Sequence, residues 1–157
     1  MLDPSKWRKT NRNPSGKWRS LNRNHWRNET ETPGAIWSEV STIAQSIKDG
    51  DMDKLISFHA YGPKFTEFKN GEPRNGDVAN EAHERNVFGA VTEVVKFDAK
   101  DLQIAVYGDV ANLTFHSDFQ LKFGEDLVVV NDQITLLFVN TKDGWKMVHE
   151  HHSPLNN

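Results

Sequence analysis

The chain contains no cysteine. That excludes disulfides, thiolate metal ligands and a cysteine nucleophile, though it does not fix a compartment. Long apolar runs are also missing: nothing approaches the ~20 residues needed to span a bilayer as a helix. The opening "MLDPSKWRKT" has no apolar stretch of the kind a secretory signal needs. A soluble, cytoplasmic protein with no membrane partner is the expectation. At 157 residues the length suits one domain.

Acidic side chains are scarce at the start. Residues 1–28 hold eight Lys and Arg and a single acid, Asp3. The formal net charge of -3 therefore joins a +7 segment to a -10 remainder. Such asymmetry suggests a basic tail on an acidic domain. The tail carries a short repeat, "KWRKTNRN" (6–13) and "KWRSLNRN" (17–24), followed by "HWRN" (25–28). Asn-rich composition with Pro4, Pro14 and Gly16 disfavours helix and strand. Residues 1–30 read as an extension and 31–157 as the folded domain. Two roles for the extension stay open. Arg and Lys on phosphates with Trp stacked on bases would bind nucleic acid or another polyanion. Alternatively, the tryptophans pack on the domain or on a partner subunit.

The domain opens at Thr32, which can cap a helix, with Pro33 suited to its first turn. Ile36, Val40, Ile43, Ala44 and Ile47 then recur at helical spacing up to Gly50. Asp51 can cap a short second helix through Leu55, Ile56 and Phe58. "YGP" (61–63) is a turn, "KFTEF" (64–68) a short strand and "KNGEPRNG" (69–76) a loop. A third helix is expected over about 77–90, with Val78, Ala82 and Phe88 as its apolar contacts. From Val91 the period becomes two. Strand signals run to Val106, over 111–123, over 127–140 and through the last residues, separated by "GD", "GED" and "TKDG". Helices followed by an antiparallel meander indicate an α+β fold, a curved sheet with helices on one face. Such a cone leaves an opening suited to a ligand.

This order resembles the nuclear transport factor 2-like superfamily. It is most similar to SnoaL-like domains and to the association domain of calcium/calmodulin-dependent kinase II. The resemblance rests on "VYGDVANLTFHSDF" (106–119), "DGW" (143–145) and "WKMVHEHHS" (145–153). In the last of these, Trp145, Val148, His149, His151 and Ser153 match the closing pattern of the subgroup. It covers about 34–155 and implies a cone-shaped domain that dimerises through its sheet. Members include ketosteroid isomerase-like isomerases, cyclases, dehydratases and non-catalytic assembly modules. Shared fold therefore leaves the chemistry open.

Strand alternation divides the closing segment. If Trp145 and Met147 face the helices, His149 and His151 face them too, and Glu150 and His152 face outward. His149 and His151 are thus the expected catalytic pair, since an imidazole moves protons near neutral pH. The same two residues also read as buried, hydrogen-bonded structural groups, or as ligand contacts alone. Expected ligand contacts are Tyr61 as an oxyanion donor, His83 on the third helix, and Ser117, Phe119, Gln133, Thr135 and Trp145 along the sheet. No carboxylate is visible on an apolar strand face. Arginines lining the kinase association domain's pocket correspond to Ser117 and Gln133 here. A small apolar or weakly polar ligand is therefore expected rather than an anion. His116 and Asp118 lie on the polar side of their strand, away from His149, so no metal and no other cofactor is expected. The two functional readings are an isomerase, cyclase or dehydratase, and a dimeric assembly module whose tail recruits a partner.

Overall fold

The computed structural model describes residues 32–155. The basic extension, 1–30, lies outside them. Helix α1 (Thr32–Asp49) presents its apolar stripe to the sheet, with Ile36 wholly buried. Gly50 ends it in a left-handed conformation, φ 67°, which a residue without a Cβ adopts at little cost. Asp51 caps α2 (Met52–Ser57) as its side chain suggests, its carboxylate accepting from the Lys54 amide at 2.9 Å. Strand β1 (Thr66–Lys69) turns back through Asn70 (φ 53°) and Gly71 (φ 84°) into the two-residue β2 (Glu72–Pro73). Two successive positive φ values are the mark of a tight hairpin turn, so the expected loop 69–76 contains a small hairpin. Helix α3 spans Gly76–Gly89.

Five strands follow: β3 (Glu93–Tyr107), β4 (Val110–Phe123), β5 (Asp126–Val130), β6 (Asp132–Thr141) and β7 (Gly144–Pro154). The sheet order is β2-β1-β7-β6-β4-β3, with β5 paired to β4. Strand β1 runs parallel to β7, which makes the sheet mixed; the other pairs are antiparallel. The curved sheet packs its inner face on the helices, and α2 contacts both α1 and α3. The core along that face includes Ala111, Leu113 and Phe138, all without solvent exposure. The architecture is the expected α+β cone. No helix among the described residues is long and apolar enough to cross a membrane.

Two departures from simple alternation shape the interior. The expected strand 127–140 is two strands divided at Asn131. Strand β4 pairs with β6 over Val110–His116 and with β5 over Phe119–Phe123. Ser117 pins the corner: its hydroxyl donates to the Val130 carbonyl at 3.0 Å and accepts from the Asp132 amide at 2.8 Å. The second departure is a bulge in β7. Leu137 pairs with His149, but Phe138 pairs with Met147, so Val148 is an extra residue.

Candidate functional site

The bulge at Val148 decides which side chains reach the interior. Trp145 and Met147 are buried on the inner face, as alternation requires. One extra residue then reverses the parity of everything after it. Glu150 and His152 therefore turn inward, beside the inner-face Leu136 and Ile134. His149 and His151 turn outward. There His149 Nδ1 meets the Thr66 hydroxyl at 2.8 Å, and the half-exposed Phe68 ring sits edge-on to both imidazoles. This corrects the expected placement of the closing strand.

Strand β1 lies in register with β7, placing Glu67 beside Glu150 and Lys69 beside His152. Glu67 and Glu150 are both buried, at 1% and 6% exposure. Adjacent buried carboxylates need compensation. Glu67 accepts from Arg74 Nη1 at 3.1 Å and from Asn80 Nδ2 at 2.8 Å. The Tyr61 hydroxyl donates in turn to Asn80 Oδ1 at 2.5 Å. Glu150 has His59 Nε2 at 3.0 Å from one oxygen and His152 Nε2 at 3.4 Å from the other. His59 Nδ1 lies 3.2 Å from the Leu55 carbonyl, which can only accept, so Nδ1 carries a proton. Burial alone would raise the Glu150 carboxyl, but hydrogen bonds from His152 and His59 outweigh it and hold it down at about 2.

Helix α3 supplies the opposite wall. Its inward stripe is Asn80, His83, Glu84 and Val87, at helical spacing. The apolar residues expected to make this contact do so only in part: Phe88 reaches the cavity, whereas Val78 and Ala82 are exposed. Glu84 is 8% exposed and borders the cavity, with no hydrogen bond or ion pair among the described residues. Burial, then the Glu150 and Glu67 carboxylates, push its carboxyl well above the usual range. The same burial, with Glu84 foremost among the charges, raises the Tyr61 phenol. Burial and then Arg74 lower His83.

These groups open on a cavity of about 480 Å³. Its remaining wall is largely apolar, with Ile43, Phe88, Phe97, Phe119 and Leu136 among the contributors. Phe97 and Phe119 stack at 3.8 Å between centroids. Of the expected ligand contacts, His83 and Phe119 line this cavity. Tyr61 joins the polar network through Asn80 without forming wall. Ser117 is committed to the β5–β6 corner, and Trp145 is core. Gln133 is exposed and Thr135 alternates away from the buried Ile134 and Leu136.

Sequence reasoning missed His59, Glu67, Lys69, Glu84, Glu150 and His152 as wall or network residues. For α3 a signal existed, because Asn80, His83, Glu84 and Val87 share a stripe. For β7 the adjacent apolar pair Met147–Val148 left the parity ambiguous. Among the described residues no group of three or more His, Cys, Asp or Glu could hold a metal ion. Asp118 is instead clamped by Lys96 Nζ at 2.6 Å and Lys100 Nζ at 2.5 Å.

Comparison with known proteins agrees with this fold. No curated protein matches the chain. The fold is similar to that of a dehydratase candidate of the NTF2-like family from Streptomyces avermitilis. That match has 19% identity and a TM-score of 0.70, and covers 79% of this chain and 96% of the other. A ketosteroid isomerase candidate from Shewanella frigidimarina matches at 20% identity and TM-score 0.62, covering 76% of this chain and 94% of that one. A calcium/calmodulin-dependent protein kinase type II association domain candidate from Thiobacillus denitrificans matches at 21% identity and TM-score 0.61, covering 75% and 93%. A model of the SnoaL-like domain matches residues 38–157. The chain belongs to the SnoaL-like domain family.

Proposed function

We propose that the cavity performs acid/base chemistry on a small carbonyl or hydroxyl compound, with Glu84 as acid and His152 as base. The observation that carries this reading is the carboxyl of the buried residue Glu84, which has no side-chain partner among the described residues and borders the same cavity as the Glu150–His152 pair. An ionised Glu150 accepts the His152 Nε2 proton, leaving Nδ1 as the basic nitrogen. That nitrogen can take a proton from carbon beside a carbonyl. A protonated Glu84 can then donate to the carbonyl oxygen, giving an enol, or to a departing hydroxyl, releasing water and an alkene. Two carboxyls held in opposite protonation states by their surroundings suit such paired roles. The dehydratase and ketosteroid isomerase candidates of the same fold support this class of reaction.

Deuterium uptake from heavy water at carbon beside the carbonyl, followed by NMR over a panel of small ketones and β-hydroxy carbonyl compounds, tests it. His152→Ala is expected to slow exchange by roughly a hundred- to ten-thousand-fold. His151→Ala is expected to leave it unchanged, with stability within about 0.5 kcal/mol, because that ring is on the exposed face. The reverse pattern would return the chemistry to the outer face and end this reading.

An assembly role is the second reading, compatible with the first. Leu127, Val128 and Val129 of β5 are 53%, 40% and 53% exposed. Among the described residues strand β5 pairs only with β4, so these residues occupy an apolar edge. The expected homodimer would cover it, and the similar association domain candidate supports assembly. In sedimentation, Val129→Lys is expected to reduce a dimer to a monomer; an unchanged mass would exclude this edge.

A further inference from the structure

Among the described residues one cation of the cavity wall stands outside its ion pairs. Glu67 is matched by Arg74, and Glu150 by His59 and His152. Lys69 points inward with Glu67 by strand alternation and lines the same cavity. Its ammonium makes no ion pair or hydrogen bond among the described residues. It shares the cavity wall with Glu84 and His83 and bonds to neither. A half-buried ammonium gains from a ligand that brings the missing negative charge. A ligand with an ammonium of its own would meet repulsion there. A neutral ligand would leave Lys69 uncompensated.

We infer that Lys69 is a specificity-determining residue that anchors a carboxylate on the ligand, so the cavity takes a small organic acid with an apolar body. The phenylalanine-rich wall accommodates that body, while Glu84 and His152 remain free to act on it. Lys69 is the register partner of His152, so the anchored carboxylate lies at the base's end of the cavity. This rests on the reading of the cavity as a ligand site and replaces the expected neutral ligand with an anionic one. It does not require turnover.

The test is calorimetric titration of the full chain with phenylacetate, phenylacetamide and phenethylamine, which share a body and differ in charge. Phenylacetate is expected to bind about tenfold more tightly than the amide, the effect of one charge-assisted hydrogen bond, and the amine to bind weakest. Lys69→Met is expected to remove the preference and Lys69→Arg to keep it; Lys69→Gln serves if the Met variant does not fold. Equal or tighter binding of the amide or amine overturns the inference. So does a preference that survives in Lys69→Met, or the failure of phenylacetate to saturate. Binding is read without catalysis, so failure here leaves the His152 exchange result standing. Loss of exchange likewise leaves the binding preference intact.

Discussion

Replacing Glu150 with alanine is expected to cost about 3–5 kcal/mol of stability, because it removes one partner of the buried Glu150–His59 pair. His59 is 8% exposed, and among the described residues its Nε2 has Glu150 as its only hydrogen-bond partner. Its other nitrogen is occupied by the Leu55 carbonyl. Without Glu150 the ring keeps a polar atom that neither water nor protein satisfies. His152 loses the acceptor that fixes its orientation, so proton exchange should fall as well. Glu150→Gln keeps the shape and one acceptor oxygen, but its amide nitrogen then faces a second donor. Its cost is expected to be smaller, about 1–3 kcal/mol.

The Glu150 contribution also has a pH signature. Its carboxyl is held below its unfolded value, at about 2. Between that value and the ordinary glutamate range, the unfolded chain binds the proton more readily than the folded one. Stability from this group is therefore complete above the ordinary range and is lost as pH falls toward about 2. Urea unfolding of the wild type and of Glu150→Ala should converge at acid pH. Curves separated by a constant amount would contradict this.

Glu84→Gln is expected to have the opposite character: turnover falls by roughly a hundred- to ten-thousand-fold, while the fold becomes more stable at high pH. The amide has the same shape but no proton to give. Glu84 is raised in the folded state by burial and then by Glu150 and Glu67. Above the ordinary glutamate range the unfolded chain releases its proton while the folded one retains it. Wild-type stability from this group is then full at low pH and declines as pH rises, by up to about 1.4 kcal/mol per pH unit, until the folded carboxyl itself ionises. The Gln variant lacks this decline, so its advantage should widen with pH in denaturant titrations. A variant less stable than wild type at every pH would mean that Glu84 is a structural hydrogen-bonding residue instead.

Most of the architecture was legible because its signals are local. Asp51 caps α2, and Gly108, Gly124 and the Asp143–Gly144 pair mark turns between strands. Alternation along 111–123 gave the inner face of β4 correctly. The site was less legible because it depends on contacts distant in sequence. The break at Asn131 is held by Ser117, fourteen residues earlier, which the sequence offered as a ligand contact. The bulge at Val148 is set by how β6 and β7 pair, and it moves two residues in and two out. Helix α3 buries a polar stripe, so a search for apolar contacts chose Val78, which is 81% exposed, over Asn80 and Glu84. The buried glutamates answer the apparent lack of a carboxylate base in the sheet: Glu67 and Glu150 are both on inner strand faces.

The central claim is that two buried glutamates of one cavity hold opposite protonation states at neutral pH. A pH titration by NMR of protein labelled with carbon-13 at the glutamate side-chain carboxyls tests it most directly. One carboxyl, absent from the spectrum of Glu84→Gln, should stay protonated through neutral pH. Another, absent from Glu150→Gln, should stay ionised well below the ordinary glutamate range. If both titrate with the surface glutamates, the cavity has no poised acid and the account fails.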